Sequence, residues 1–424
     1  MEIGKIIYYH RKNQCKTQEE LCRGICSITH LSKIENNVKE ANVDTLTLLC
    51  ERLGICIEIE EKKFQDFQKE INLFYDSIER LHATKAESIY NYLNNHQPYI
   101  NCTNLVYLYE LYEIRYYLFL NKLDTVKEML TNIMKHSRKF SQYERYLLDF
   151  LYAIYYFKRK EFISSLELLN NISELVEKFS DKVREYYYFK ALVHSKLNHS
   201  TLAIHFGHKA LTIFQETSNI YRILHVKTII AIHLINTCEY RKAEIFLLEL
   251  LDDADLMQNV KETTRTLHNL GFLYESDNKP LKALDYYSKS LQLKQKHTPT
   301  YYLTIASIAK VYVNMQEFEK AEELLKEELV LLKDQEDPTY VILKALYLQS
   351  LKNEKGLINY LVNYGLPIMQ KHDQLTKVVE YAEKIASYYV QVDCLLANQY
   401  LCISNNTLKS LLNNKGGNSY EKID

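Results

Sequence analysis

The chain has 424 residues, among them nine glycines, five prolines, 36 tyrosines and no tryptophan, and its 53 basic and 54 acidic residues leave a net charge of −1. So little Gly and Pro excludes hairpin-rich sheets and Gly-rich phosphate loops and makes the class all-α. A neutral balance also excludes a global positive field towards nucleic acid, so any affinity for DNA must come from local contacts and from dimerisation.

Taken in chain order, Ile3, Ile6, Ile7 and His10 recur at helical spacing and predict a first helix over residues 2–12, with His10 at its rim. Thr17 followed by Glu20 is a capping box, which starts a second helix whose inward face is Leu21 and Cys22. Gly24 supplies a residue able to take positive φ, and a third helix begins at Ser27. Along it Leu31 and Ile34 fall on the buried side, while Ser27, Ile28, Thr29, His30 and Lys33 share the open side. That face, together with Gln18, is the predicted reader of double-stranded operator DNA, because small hydroxyls, His and Lys can bond base edges or touch thymine methyls. Val43, Leu46, Leu49, Cys50 and Leu53 define a fourth helix closed by Gly54, which ends a module over 1–56 holding eight basic and seven acidic residues. Residues 57–75 contain no Pro or Gly and predict a helical linker.

From about residue 76 to 415 the chain repeats, before a tail at 416–424 expected to be flexible. Leu267, Leu270, Gly271, Tyr274, Ala283 and Tyr287 fit the tetratricopeptide pattern in register. The small residue of the second helix recurs at Ala86, Val126, Ser165, Ala203 and Ala243, then at Ala321 and Ala397, with a degenerate copy expected near Gly356–Leu361. About nine helix pairs follow, stacked as a right-handed superhelix whose groove is lined by the first helix of each pair. Aligned on the small residue, Tyr112, Arg115, Lys158, Asn236, Arg265, His268, Asn269, Glu275, Lys310 and Asn314 turn towards that groove. Asn and Arg can hold a peptide's amides and carboxylate whatever its side chains, so a short oligopeptide is the expected ligand.

No run approaches the roughly 18 apolar residues of a membrane span, and charges at Glu2, Lys5, Arg11 and Lys12 replace a signal peptide, so a cytoplasmic protein without membrane contact is expected. An odd nine Cys argues against a disulfide framework, and Cys22, Cys26, Cys50 and Cys56 are read as packed thiols without metal. No nucleotide-binding, serine-hydrolase or zinc-protease motif is present, so neither catalytic residues nor a cofactor are assigned.

The segments T-Q-E-E-L, S-x-x-x-L-S-K-I-E-N and L-x-x-L-C-x-x-L-G resemble the Cro and phage-repressor type of DNA-binding domain, with a shorter turn, G-I-C-S, and Asn37 where that type has Gly. Together with the repeats they resemble the peptide-regulated quorum-sensing transcription factors of Gram-positive bacteria, the Rap, NprR and PlcR group, and most of all its NprR branch. The resemblance implies a transcription regulator of a spore-forming bacterium that binds a re-imported signalling peptide, as a homodimer or as a tetramer with peptide. It also implies two alternatives: a Rap-like regulator that promotes dephosphorylation of a phosphorelay response regulator when free of peptide, and a phage arbitrium-type peptide receptor.

Overall fold

A computed structural model describes residues 3–38, 42–179, 181–332 and 334–413. The tail expected at 416–424 lies outside the described residues. Every regular element among them is helical, and none is long and apolar enough to cross a membrane. Two compact units result: Met1–Tyr186 with Asn219–Tyr221, and Tyr187–Ser218 with the chain from Arg222 onward.

The first unit opens with α1 (Ile3–Asn13), α2 (Gln18–Cys22), α3 (Ile28–Glu35) and α4 (Val43–Leu53). The capping box forms: Thr17 Oγ1 accepts the Glu20 N–H at 3.1 Å and the Glu20 carboxylate accepts the Thr17 N–H at 2.7 Å. Ile7, Leu21, Cys22, Leu31, Ile34, Leu49, Cys50 and Leu53 bury against one another as the periodicity requires. A Cβ at Gly4 would stand 1.9 Å from the Ile34 carbonyl oxygen, so only glycine lets α1 lie this close to α3. Arg11 then clamps the two helices, its Nε and Nη2 donating to the Glu35 carboxylate at 2.6 and 2.9 Å. Asn37, at φ 54°, takes the left-handed position expected of it.

The segment 57–75 is helical, but it is not a free connection. It forms the front of α5 (Ile57–Glu79), a 23-residue helix that buries Phe67, Ile71, Phe74, Tyr75 and Ile78. With α6 (Ala83–Asn95) it makes the first helix pair, packed around Ala86, and α7 (Gln97–Ile100) follows. Val106–Phe119 pairs with Leu123–Met134 around Val126, and Gln142–Lys158 with Phe162–Asn171 around Ser165. The Ser165 hydroxyl is buried but satisfied, donating to the Ala153 carbonyl at 2.7 Å.

The second unit continues the pattern with six further pairs among the described residues, ending in Leu375–Tyr389 and Cys394–Asn413. A shared turn explains the regular spacing. Leu81, Asn121, Lys160, Asn198, Cys238, Asn278 and Gln316 all take φ between 55° and 66°, each five residues before the buried small residue of its pair. The next N–H returns to the first helix, as from Lys122 to the Tyr117 carbonyl (3.0 Å) and from Lys279 to the Tyr274 carbonyl (2.8 Å), which is a Schellman cap. The degenerate copy has the same turn at Lys352, with Leu357 in the small residue's place. Its second helix is interrupted: Pro367 cannot donate to the preceding turn, and the chain widens into a π-turn over Leu361–Gly365, where the Leu366 N–H reaches the Leu361 carbonyl. Gly271 is required as well, since a Cβ there would lie 2.4 Å from the Tyr287 ring.

Candidate DNA-reading face and ligand cavity

Ser27 caps α3, its hydroxyl accepting the His30 N–H at 3.1 Å. That bond fixes the start of the helix and so aims its first turn. Ser27, Ile28, Thr29 and Lys33 are exposed, and the Ile28 side chain suits contact with a methyl group. His30 is half-buried, and its Nε2 has no hydrogen-bond partner. Gln18 is partly engaged: its Nε2 donates to Glu35 Oε2 at 2.7 Å, which leaves its carbonyl oxygen free.

This reading module is fastened to the first helix pair. Glu60 on α5, only 6% exposed, takes His10 Nε2 of α1 at 3.0 Å on one oxygen and the Tyr99 hydroxyl of α7 at 2.8 Å on the other. Tyr9 meets the Tyr99 ring edge-on at 5.4 Å, and the Lys63 ammonium sits 3.9 Å from its centroid. His10, expected at the rim, is thus half-buried in a joint.

The second unit contains a cavity of about 540 Å³, within the range of about 300–1,000 Å³ usual for ligand sites. As expected of such repeats, first helices line it: His268, Phe272 and Glu275 from Val260–Ser276; Leu303, Ala306, Lys310 and Asn314 from Pro299–Asn314; Ile342, Ala345, Leu346 and Gln349 from Pro338–Ser350; and Lys377, Glu380, Tyr381 and Lys384 from Leu375–Tyr389. Glu275 pairs with Lys310 at 2.8 Å and accepts the Tyr287 hydroxyl at 2.7 Å, while Lys377 pairs with Glu380 at 2.7 Å. Burial pushes the His268 imidazole down to about 4, helped by the nearby Lys294 charge, and its Nδ1 lies 3.0 Å from Thr304 Oγ1. His268 therefore presents a neutral ring to a ligand.

Of the ten groove residues expected from the sequence, His268, Glu275, Lys310 and Asn314 come together in this cavity. Arg115 does not belong to a groove: it is 3% exposed and donates from Nε and Nη2 to Glu185, itself fully buried, at 2.8–3.1 Å. Tyr112 is also interior, its hydroxyl 3.0 Å from that of Tyr143 and its ring 4.4 Å from Tyr75. Lys158 is half-buried at the end of its helix, and Asn236 is exposed at the end of another. Arg265 bonds Glu262 and reaches Thr228 Oγ1 at 3.4 Å, and neither it nor the half-buried Asn269 lines the cavity. Sequence spacing missed Gln349, Lys377, Glu380 and Lys384, which stand on the first helices of the last two pairs, beyond the copy of Ala321 at which the expected groove residues end. Among the described residues no cluster of His, Cys, Asp and Glu could hold a metal.

A helix-turn-helix family model matches residues 7–57 and a tetratricopeptide-repeat model residues 264–297. The transcriptional activator NprA of Geobacillus stearothermophilus is 26% identical, over 92% of this chain and 99% of its own length. Response regulator aspartate phosphatase A of Bacillus subtilis (strain 168) is 24% identical, over 76% of this chain and 88% of its own. In fold, the crystal structure of NprR in complex with its cognate peptide NprX superposes with a TM-score of 0.61 at 21% identity, covering 81% of this chain and 98% of that one. Sequence and fold together thus place the resemblance of this chain in the group of NprR and Rap regulators, all-α proteins of tetratricopeptide-type repeats, with a helix-turn-helix at its own N-terminal end.

Proposed function

We propose that this protein is a quorum-sensing transcriptional regulator that binds operator DNA as a dimer through the face around Thr29 and Lys33, and a short imported oligopeptide in the cavity of its second unit. The single observation that carries the reading is one chain holding both a helix with an exposed polar first turn and a ligand-sized cavity lined chiefly by first helices. The match to an activator over nearly the whole chain and the peptide named in the NprR complex support it. The dimer is part of the proposal because a module with eight basic and seven acidic residues binds DNA weakly alone. Half-sites then lie about one helical turn apart, or a multiple of it. Footprinting on fragments flanking the gene, with and without peptides encoded by adjacent short reading frames, tests the proposal. Paired protected half-sites whose occupancy changes with one peptide are expected, and absence of any protected site overturns the DNA role.

The similarity to an aspartate phosphatase favours a second reading, in which the peptide-free protein shortens the lifetime of a phosphorylated response regulator. Incubating both and following phosphate loss decides it, an unchanged lifetime removing this reading.

A further inference from the structure

The charges around the cavity are unequal. Five charged side chains line it, and four of them are already neutralised as Glu275–Lys310 and Lys377–Glu380, at 2.8 and 2.7 Å. The fifth, Lys384, has no ion-pair partner among the described residues; its Nζ makes a 2.9 Å bond to a neutral acceptor, Gln349 Oε1. An ammonium has three protons to donate, so Lys384 holds donor capacity that the cavity's own residues do not use. The same lining includes the apolar Ala345, Leu357 and Leu361. Burial lowers the affinity of Lys384 for its proton, partly opposed by the fields of Glu380 and Glu354 and reinforced by Lys377. A half-buried cation of this kind is desolvated without a carboxylate in direct contact, and an incoming anion relieves that cost.

Resting on the reading of this cavity as a peptide site, we infer that Lys384 is its carboxylate receptor, so that the peptide it selects is one that places a carboxylate against the Leu375–Tyr389 wall. A carboxylate accepts the unused ammonium protons in a charge-assisted bond, and the apolar wall strengthens that bond by excluding water. A ligand offering an amide there leaves the cation uncompensated. The carboxylate is either the peptide's C-terminus or an Asp or Glu side chain, and the two sources are separable.

The test exposes the full-length protein to three synthetic hexapeptide pools: a complete pool with free carboxyl ends, the same pool amidated at its ends, and a free-acid pool lacking Asp and Glu. Retained peptides are identified by mass spectrometry and resynthesised singly. Enrichment from the complete pool is expected, with loss from the amidated pool if the terminus is bound, or from the Asp- and Glu-free pool if a side chain is. Lys384→Gln weakens the best peptide by about tenfold to a hundredfold, the worth of a hydrogen bond to a charged group. It also abolishes the preference for that peptide over its uncharged twin, whereas Lys384→Arg keeps the preference. That ratio distinguishes recognition from a folding defect, which would weaken both twins alike. Equal enrichment from all three pools, or an undiminished preference in Lys384→Gln, overturns the inference and leaves peptide binding standing. Retention of no peptide from any pool overturns both.

Discussion

The two units use the same helix pair and the same turn but fill their first helices differently. In the first unit Arg115 is spent on Glu185 and Tyr112 on Tyr143, and both residues are interior. In the second, Glu275, Lys310, Lys377 and Glu380 pair at the border of a space that stays open, and Lys384 keeps protons to spare. The small-residue spacing dictates the backbone of a pair and says nothing of its cargo. Whether an inner position is structural or receptive depends on where its charged partner comes from: the protein for Arg115, and on the proposal above a ligand for Lys384.

The sharpest way to break this contrast is to remove Arg115. Arg115→Ala takes the Arg115 guanidinium away from the fully buried Glu185, and a loss of about 3–5 kcal/mol in urea unfolding is expected, against little change for Lys384→Gln. Equal, small effects of the two would show that the pairs are not what distinguishes the units. Gly271→Ala acts inside the cavity, because its Cβ must displace the Tyr287 ring and with it the bond to Glu275. A destabilisation of about 1–3 kcal/mol, accompanied by weaker peptide retention, is expected from such overpacking. Thr29→Ala and Lys33→Ala belong to the first unit alone. Each should reduce discrimination between operator and random DNA by about 1–3 kcal/mol in a competition assay, with peptide retention untouched.

Residue for residue, the smallest effect is in pH. His194, His225 and His268, all in the second unit, are pushed by burial from 6.5 down to about 4. Between those values the unfolded chain binds protons that the native one refuses, so stability falls as pH drops through the window, by roughly 1 kcal/mol per histidine at pH 5.5. Hydrogen exchange that slows or quickens equally in both units on acidification would count against this assignment.

Features that depend on neighbours in sequence were legible. The capping box at Thr17, the cap at Ser27, the buried stripe of α3 and the spacing of Ala203, Ala243 and Ala283 are all local or strictly periodic, and the structure has them. The fate of Arg115 was not, because its partner stands 70 residues away and no periodicity links them. Nor did glycine announce the turns of the pairs, since Leu81, Lys160, Cys238 and Gln316 take the left-handed conformation instead. The far wall of the cavity was missed for a third reason. The expected groove residues were taken from copies up to that of Ala321, and Lys377 and Lys384 stand beyond it, on the first helix of the pair that holds Ala397. The stripe of Val378, Tyr381, Ala382 and Ile385 would have recovered them, since it leaves those two lysines one heptad apart on its flank.

The joint at Glu60 bears on how a signal could travel. Only Gly54, Ile55 and Cys56 separate α4 from α5, Ile55 packs with the reading module's core, and Gln14 Nε2 holds the Leu53 carbonyl at 2.7 Å. A buried carboxylate on α5 grips α1 and α7 at once, so reader and first helix pair are tied by side chains as well as by this short connection. On the proposed function, torque applied to that pair reaches the helix of Lys33 through these bonds, and operator spacing becomes a gauge of how two protomers are set against each other, not of how far a tether can stretch.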